Sequence, residues 1–181
     1  MMPMPDITDF HTHNLEADNA IISVPEDWVR HPAHFAPRNG AWYAVGIHPW
    51  WTADAEGCRH MLANMPLLLQ HPQVIMLGEC GLDALRGAPL AEQERLFVAQ
   101  IALAESQQLP VTLHIVRTYD RLLRLHKQLR PTTQWTVHGF RGKPALAHQL
   151  LDAGIDLSFG QLHNAASWEV TPPQRRHTES D

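Results

Sequence analysis

The hexapeptide DFHTHN places His11 and His13 two residues apart, a spacing at which two imidazoles reach one metal ion if the chain is extended, because residues i and i+2 of a strand share a face. With 13 histidines in 181 residues, about one His-x-His arises by chance, so the pair needs partners before it carries meaning. Three more side chains supply them. Glu79 in VIMLGE, His114 in VTLHI and His138 in QWTVHG each stand at or near the C-terminal end of a short apolar run. Imidazoles and carboxylates suit zinc, manganese and magnesium to different degrees, and these five groups converging on one rim read as a divalent-metal site.

Net charge is −5 with histidine neutral, and Lys127 and Lys143 are the only lysines, so there is no basic footprint of the kind that holds nucleic acid by counterion release. If the substrate carries phosphates, bound divalent ions can supply the missing positive charge locally. The opening MMPMPD has no basic n-region and no apolar h-region, and no apolar run approaches the roughly 18 residues of a membrane span. A cytoplasmic protein that does not enter a membrane is expected. Cys58 and Cys80 lack C-x-x-C spacing and read as two reduced thiols.

The elements that must position these groups alternate. Short β-branched runs predict strands over Asp6 to His11, Ala20 to Val24, Ala41 to His48, Val74 to Glu79, Val111 to Ile115, Gln134 to Gly139 and Ile155 to Gly160. Helical segments are expected over Ala53 to Gln70, Leu90 to Gln107, Tyr119 to Leu129 and Pro144 to Ala153, with Pro89 suited to a first helical position and Gly154 to a helix end. Strand and helix in alternation argue for a parallel sheet, either open or closed. An open sheet gathers its ligand at one switch point, whereas a barrel gathers strand ends from all round a circle. DFHTH, VGIHP, LGECG, LHIVR and VHGF all carry an acid or a histidine at a strand end, which favours an α/β fold of the (β/α) barrel type. No linker or charge block divides the chain, so residues 1–181 read as one domain.

In order and spacing, DFHTHN, VGIHPWW, LGECGLD, LPVTLH and VHGFRG resemble the TatD family of metal-dependent hydrolases. The resemblance implies a TIM-type barrel, hydrolysis of phosphate esters in DNA or another phosphodiester substrate as a deoxyribonuclease does, and two divalent ions drawn from Mg, Mn or Zn. It implies that His11 and His13 hold one ion, that Glu79 bridges both, and that His114 with His138 holds the second. Asp181 would complete the first ion's shell and, with Glu79, serve catalysis. The resemblance also places His48 beside the substrate. Arg117, Arg141 and Lys143 follow the ligands His114 and His138 on loops that face a barrel's substrate, where they are expected to grip phosphate oxygens. Asp83 is suited to orienting a ligand histidine, and Trp50 and Trp51 to stacking a base or capping the core.

The chain also departs from the family. LHIVR has two residues between histidine and arginine where one is usual, and HGF replaces H-C-F. At the end, Glu179-Ser180-Asp181 imitates an E-T-D motif, yet Arg175, Arg176, His177 and Thr178 precede it where a buried strand should be apolar. The eighth strand and final helix are therefore expected to be incomplete or missing, with Arg175 to Asp181 weakly held beside a gap. Two other readings stay open: a related barrel hydrolase acting on amides or small phosphate esters, and an inactive metal-binding barrel.

Overall fold

The computed structural model describes residues 6–181. Eight parallel strands follow one another round a sheet in chain order: β1 (Asp9–Thr12), β2 (Ala20–Ser23), β3 (Trp42–Val45), β4 (Val74–Asp83), β5 (Val111–Val116), β6 (Trp135–Val137), β7 (Asp156–Phe159) and β8 (Arg176–Thr178). Six helices lie between them: α1 (Glu26–Arg30), α2 (Ala55–Leu69), α3 (Leu90–Gln107), α4 (Tyr119–Leu129), α5 (Pro144–Asp152) and α6 (Ala165–Val170). The seven expected strands and four expected helices all form, with ends shifted by a few residues. Pro89 caps α3 from outside instead of opening it, and Gly154 follows α5 at a φ of 89°, the left-handed turn a helix end needs. No helix among the described residues is long and apolar enough to cross a membrane.

Alternation along each strand sorts the side chains. Ile22, Val45, Leu77, Leu113, Val137 and Leu157 point outward into the main core, against helices that contribute Met61, Phe97, Ile101, Leu122 and Leu150. Ile21, Ala44 and Met76 form a separate cluster inside the barrel. Beyond that cluster, at the C-terminal strand ends, acids and histidines turn inward and form the site.

Two register shifts aim that layer. Leu77 pairs Val111 and Cys80 pairs Leu113, so β4 carries an extra residue at Gly78 and Glu79; Asp9 pairs Ala20 and Thr12 pairs Ile22, so β1 does the same around His11. Close packing makes glycine necessary beside the first bulge. A Cβ on Gly46 would lie 2.8 Å from the Glu79 carbonyl oxygen, and one on Gly81 would lie 1.9 Å from that of His114.

The eighth strand is present, contrary to the expectation drawn from its polarity. Leu157, Ser158 and Phe159 of β7 pair with Arg176, His177 and Thr178. Each polar side chain has a partner: Arg175 binds Asp156, His177 lies 3.4 Å from the same carboxylate and stacks on Phe10, and Arg176 covers Trp168 at 4.0 Å while donating to its carbonyl oxygen. Nor is the segment weakly held. Thr178 Oγ1 donates to the Thr8 carbonyl, and Ser180 donates to Asp9 through both its amide and its hydroxyl. Among the described residues no ladder pairs β8 with β1, so the seam is held by these bonds to Thr8 and Asp9, and below them a cavity of about 330 Å³ opens between Ile7, Phe10, Arg176 and His177.

Residues 13–19 cross from β1 to β2 without a helix, although parallel connections usually need a dozen residues or more. Arg38 holds this short crossing, donating to the carbonyl oxygens of Leu15 and Ala17 at 2.8 and 2.5 Å and to Asp18 at 3.3 Å. Arg38→Ala strands those carbonyls and should cost about 2 kcal/mol in urea unfolding; an unchanged midpoint would show that the crossing holds itself.

Glu105 on α3 does comparable work for the turn before β6, where its carboxylate takes the amides and hydroxyls of Thr132 and Thr133 at 2.5–3.1 Å. Slight burial acts to raise its pKa, but these donors win and hold it at about 2. A depressed carboxylate stabilises above its unfolded value and loses that stability as pH falls toward the folded one. Glu105→Gln should therefore lower stability near neutral pH, and the difference from wild type should close as pH falls from the usual carboxylate range toward about 2. A pH-independent difference in urea midpoint would refute the charged contact.

Candidate metal centre

Every residue of the expected ligand set reaches the C-terminal rim of the barrel. His11 lies on β1 and His13 just past it, Glu79 on β4, His114 on β5, His138 directly after β6, and Asp181 shortly after β8. Glu79 sits at the centre, with its side chain 3% exposed. Its Oε2 lies 2.9 Å from His13 Nε2 and 3.3 Å from His11 Nε2, while its Oε1 lies 2.7 Å from His138 Nε2, 3.5 Å from His114 Nδ1 and 3.4 Å from His48 Nε2. Asp181 Oδ2 closes the first group, 3.4 Å from His11 Nε2 and 3.7 Å from His13 Nε2.

For His11, His48, His114 and His138 the partner of the far nitrogen bears on what the near one can do. An ionised carboxylate only accepts, so His114 Nε2 donates to Asp83 at 2.9 Å and leaves Nδ1 with a lone pair facing Glu79. His138 donates from Nδ1 to Glu179 at 3.2 Å, leaving Nε2 free, and His11 Nδ1 meets the Ser23 hydroxyl at 3.4 Å. Outer partners of this kind set the tautomer of metal-binding histidines. His48 is wired the other way. Its Nδ1 accepts from the Trp50 amide at 3.0 Å, so the neutral ring carries its proton on Nε2 and donates toward the site.

Two buried atoms here have no hydrogen-bond partner: His11 Nε2 and Glu79 Oε2. They lie 3.3 Å apart with lone pairs turned to a common space, which is the arrangement a cation satisfies and a hydrogen bond does not. The groups whose ligating atoms cluster are His11, His13 and Glu79; His11, His138 and Asp181; and His48, Glu79 and His114. The donor set is all nitrogen and oxygen, because both thiols are buried and free and neither is in these groups.

Charge follows geometry. Burial would raise the Glu79 carboxyl, but the surrounding imidazoles of His11, His114, His13 and His138 hold it well below the usual range. For His138 burial opposes the charge, yet carboxylates at both nitrogens, Glu179 and Glu79, push it up to about 10. A cation at Glu79 and a proton on His138 Nε2 therefore compete for one lone pair. Burial lowers the pKa of His48 despite Glu79, which keeps that ring neutral.

The remaining candidates divide. A cavity of about 390 Å³ over the cluster is lined by His13, His48, Trp50, Trp51 and Asp181, and a neighbouring one of about 400 Å³ by Arg117, Tyr119, Arg141 and Asp181. His114 and His138 line both, so the two form one groove with the arginines at its outer end. Lys143 does not join them. It is exposed at the start of α5 and lines no cavity described, because the chain turns away at Gly142 to begin the helix. Three residues with clear roles were not foreseen. Glu179 orients His138 and takes the Ser158 hydroxyl at 2.5 Å, while Gln93 and Gln100, buried on α3, clamp the backbones of Asp83 and Ile47. Both glutamines stand on an otherwise apolar helix face, seven residues apart, and that was the available signal.

A parallel (β/α) barrel whose ligand-type side chains all gather at the C-terminal strand ends defines the class. Within it, residues 10–181 match the family described as TatD related DNase, and the chain belongs to that family. The chain is 36% identical over 124 residues to a 3'-5' ssDNA/RNA exonuclease TatD from Klebsiella pneumoniae, and 34% identical over 126 residues to one from Musicola paradisiaca. Those alignments take in 65% and 64% of this chain but only 44% of each relative, so the chain spans less than half the length of the curated relatives it matches. Among solved structures, a TatD homologue from Escherichia coli K12 superposes with a TM-score of 0.79 at 22% identity, covering 99% of this chain and 80% of that one. A TatD family hydrolase from Entamoeba histolytica gives 0.68 at 21% identity, covering 90% and 60%. Both share the fold.

If Glu79 serves both ligand groups, Glu79→Ala should lower metal content at both positions, while His138→Ala should mainly empty one. Elemental analysis after dialysis against Mn²⁺ reads the difference, and unaltered content in both variants would end the shared-ligand assignment.

Proposed function

We propose that the chain, working as one domain, is a metal-dependent hydrolase that cuts phosphodiester bonds of single-stranded nucleic acid, with two divalent ions. The observation that carries this reading is the division of Glu79: one carboxylate oxygen faces His11, His13 and the Asp181 side, and the other faces His114 and His138. That the bacterial relatives are 3'-5' ssDNA/RNA exonucleases supports the choice of nucleic acid. Many amide-cleaving barrels bridge their metals with a carboxylated lysine at a strand end, and that reading finds no support here, since Lys127 lies on α4 and Lys143 before α5, neither on a strand.

When bound, the ions supply the positive charge that polarises a phosphoryl oxygen and lowers the pKa of a water. The chain's own groups do the rest. His11, His13, Glu79, His114, His138 and Asp181 hold the centre. Asp181, kept ionised chiefly by His11 and with its side chain 38% exposed at the groove, accepts the attacking water's proton at Oδ2. His48, neutral, donates a hydrogen bond from Nε2–H to a phosphoryl oxygen as the P–O bond to the leaving oxygen breaks, and the proton taken by Asp181 passes to that oxygen. Arg117 and Arg141 grip the neighbouring phosphates, so backbone charge is recognised by two guanidinium groups and the ions despite the acidic whole.

A 5'-labelled single-stranded oligonucleotide should be shortened in Mg²⁺ or Mn²⁺, protected by EDTA, and cut at least about a hundredfold more slowly by Glu79→Ala. Turnover of amides with no action on DNA or RNA would replace this reading with the amidase alternative, and no turnover of either would leave the inactive barrel.

A further inference from the structure

We propose that Trp50 is a positioning residue that sets the ion-facing nitrogen of His114, acting through Asp83; the inference rests on the ion centre proposed above. The Asp83 carboxylate is 3% exposed and has three donors: Leu85 amide to Oδ1 at 2.8 Å, and both His114 Nε2 and the Trp50 indole N–H to Oδ2, at 2.9 and 2.7 Å. The backbone of Asp83 is fixed as well, its amide donating to Gln93 Oε1 at 2.8 Å and its carbonyl accepting from Gln93 Nε2 at 3.0 Å. Rotation of the carboxylate about its own axis is then set by the Leu85 amide at Oδ1 and by the Trp50 indole N–H at Oδ2, the oxygen that also takes His114.

Trp50 is not placed there by burial. It is 43% exposed, which is unusual for a tryptophan whose role is packing, and it is held instead by its hydrogen bond and by the Arg86 guanidinium 3.6 Å above its ring. The same residue acts twice. Its backbone amide fixes the tautomer of His48 while its side chain fixes the acceptor of His114, and those two imidazoles stand 3.4 and 3.5 Å from the same oxygen of Glu79. One residue on the loop after β3 thus sets two neighbouring sides of the centre, although its indole N–H has no lone pair with which to be a ligand.

Trp50→Phe keeps an aromatic ring and the backbone amide while removing the indole N–H together with the five-membered half of the ring, and the Asp83→Asn background below separates the lost hydrogen bond from the lost ring area. By Mn²⁺ titration it should weaken binding at the His114 side about tenfold, the low end of what outer partners of ligand histidines contribute, with an unchanged melting temperature in the metal-free protein. In the Asp83→Asn background the same change should have no further effect. Ring ¹⁵N spectra of the metal-free protein give a second readout, with His114 protonated at Nε2 in wild type and the two tautomers mixed in Trp50→Phe. Unchanged affinity and tautomer, or an effect of equal size in the Asp83→Asn background, would overturn the proposal. His114→Ala separates the two inferences: if it leaves Mn²⁺ affinity intact, the ion centre itself is wrong, whereas if it weakens binding and Trp50→Phe does not, only the role of Trp50 fails.

Discussion

A single buried carboxylate governs the upper half of this barrel. An isolated ionised carboxyl moved out of water costs several kcal/mol even after relaxation, and a buried glutamate normally avoids that cost by taking up a proton. Glu79 does the opposite. Five imidazoles surround it, and its pKa is held down, not raised. The compensation is incomplete, because Glu79 Oε2 and His11 Nε2 face each other without a hydrogen bond. A polar cluster that is nearly but not fully satisfied is a poor way to stabilise a fold and a sound way to hold a cation, and that asymmetry gives the site its functional meaning.

The rest of the architecture keeps Glu79 and its ring in place. Strand β4 is the longest of the eight and carries the bulge that turns Glu79 inward. Helix α3 reaches the strand ends with two buried amides. Gln100 holds the amide of Ile47, next to His48, and Gln93 holds both backbone groups of Asp83 together with the carbonyls of Arg86 and Ala88. A glutamine that exchanges hydrogen bonds with a loop's backbone fixes it more firmly than apolar contact does, because it specifies direction. Outer partners of three different kinds, the Ser23 hydroxyl, the Asp83 carboxylate and the Glu179 carboxylate, then orient His11, His114 and His138. Rigidity of this kind is what a metal centre requires before any ion arrives.

Most of this was legible in the sequence, and the physical reason is that barrel strands are buried on both faces. Their apolar runs stand out, and an acid or imidazole at the end of such a run has no bland explanation once several strands show the same feature. His11, His13, Glu79, His114 and His138 were readable for that reason, and His48 and Asp83 by the same logic at lower resolution. What the sequence concealed were contacts made across distance. Glu179 reaches His138 over 41 positions, and Gln100 reaches Ile47 over 53. No local pattern encodes such pairs. Lys143, expected beside Arg117 and Arg141 from its loop position, stands exposed at the N-terminal cap of α5, outside the cavities those arginines line.

The eighth strand shows most clearly where local pattern misleads. Apolar composition is expected of a buried strand because unpaired polar groups are costly there, and the rule concerns pairing, not composition. Asp156, at the start of β7, is nearly buried and would itself be an unpaired charge. Arg175 and His177 answer it across the strand pair, while Arg176 lies over Trp168 on the outer face. A polar strand and a buried acid, each unfavourable alone, become compatible when they are neighbours. Because the ladder from β7 carries Glu179 and Asp181 just beyond β8, this same pairing places one carboxylate against His138 and the other against His11. The charges that made Arg175 to Thr178 look unlike a barrel strand are therefore what deliver the last carboxylates to the centre.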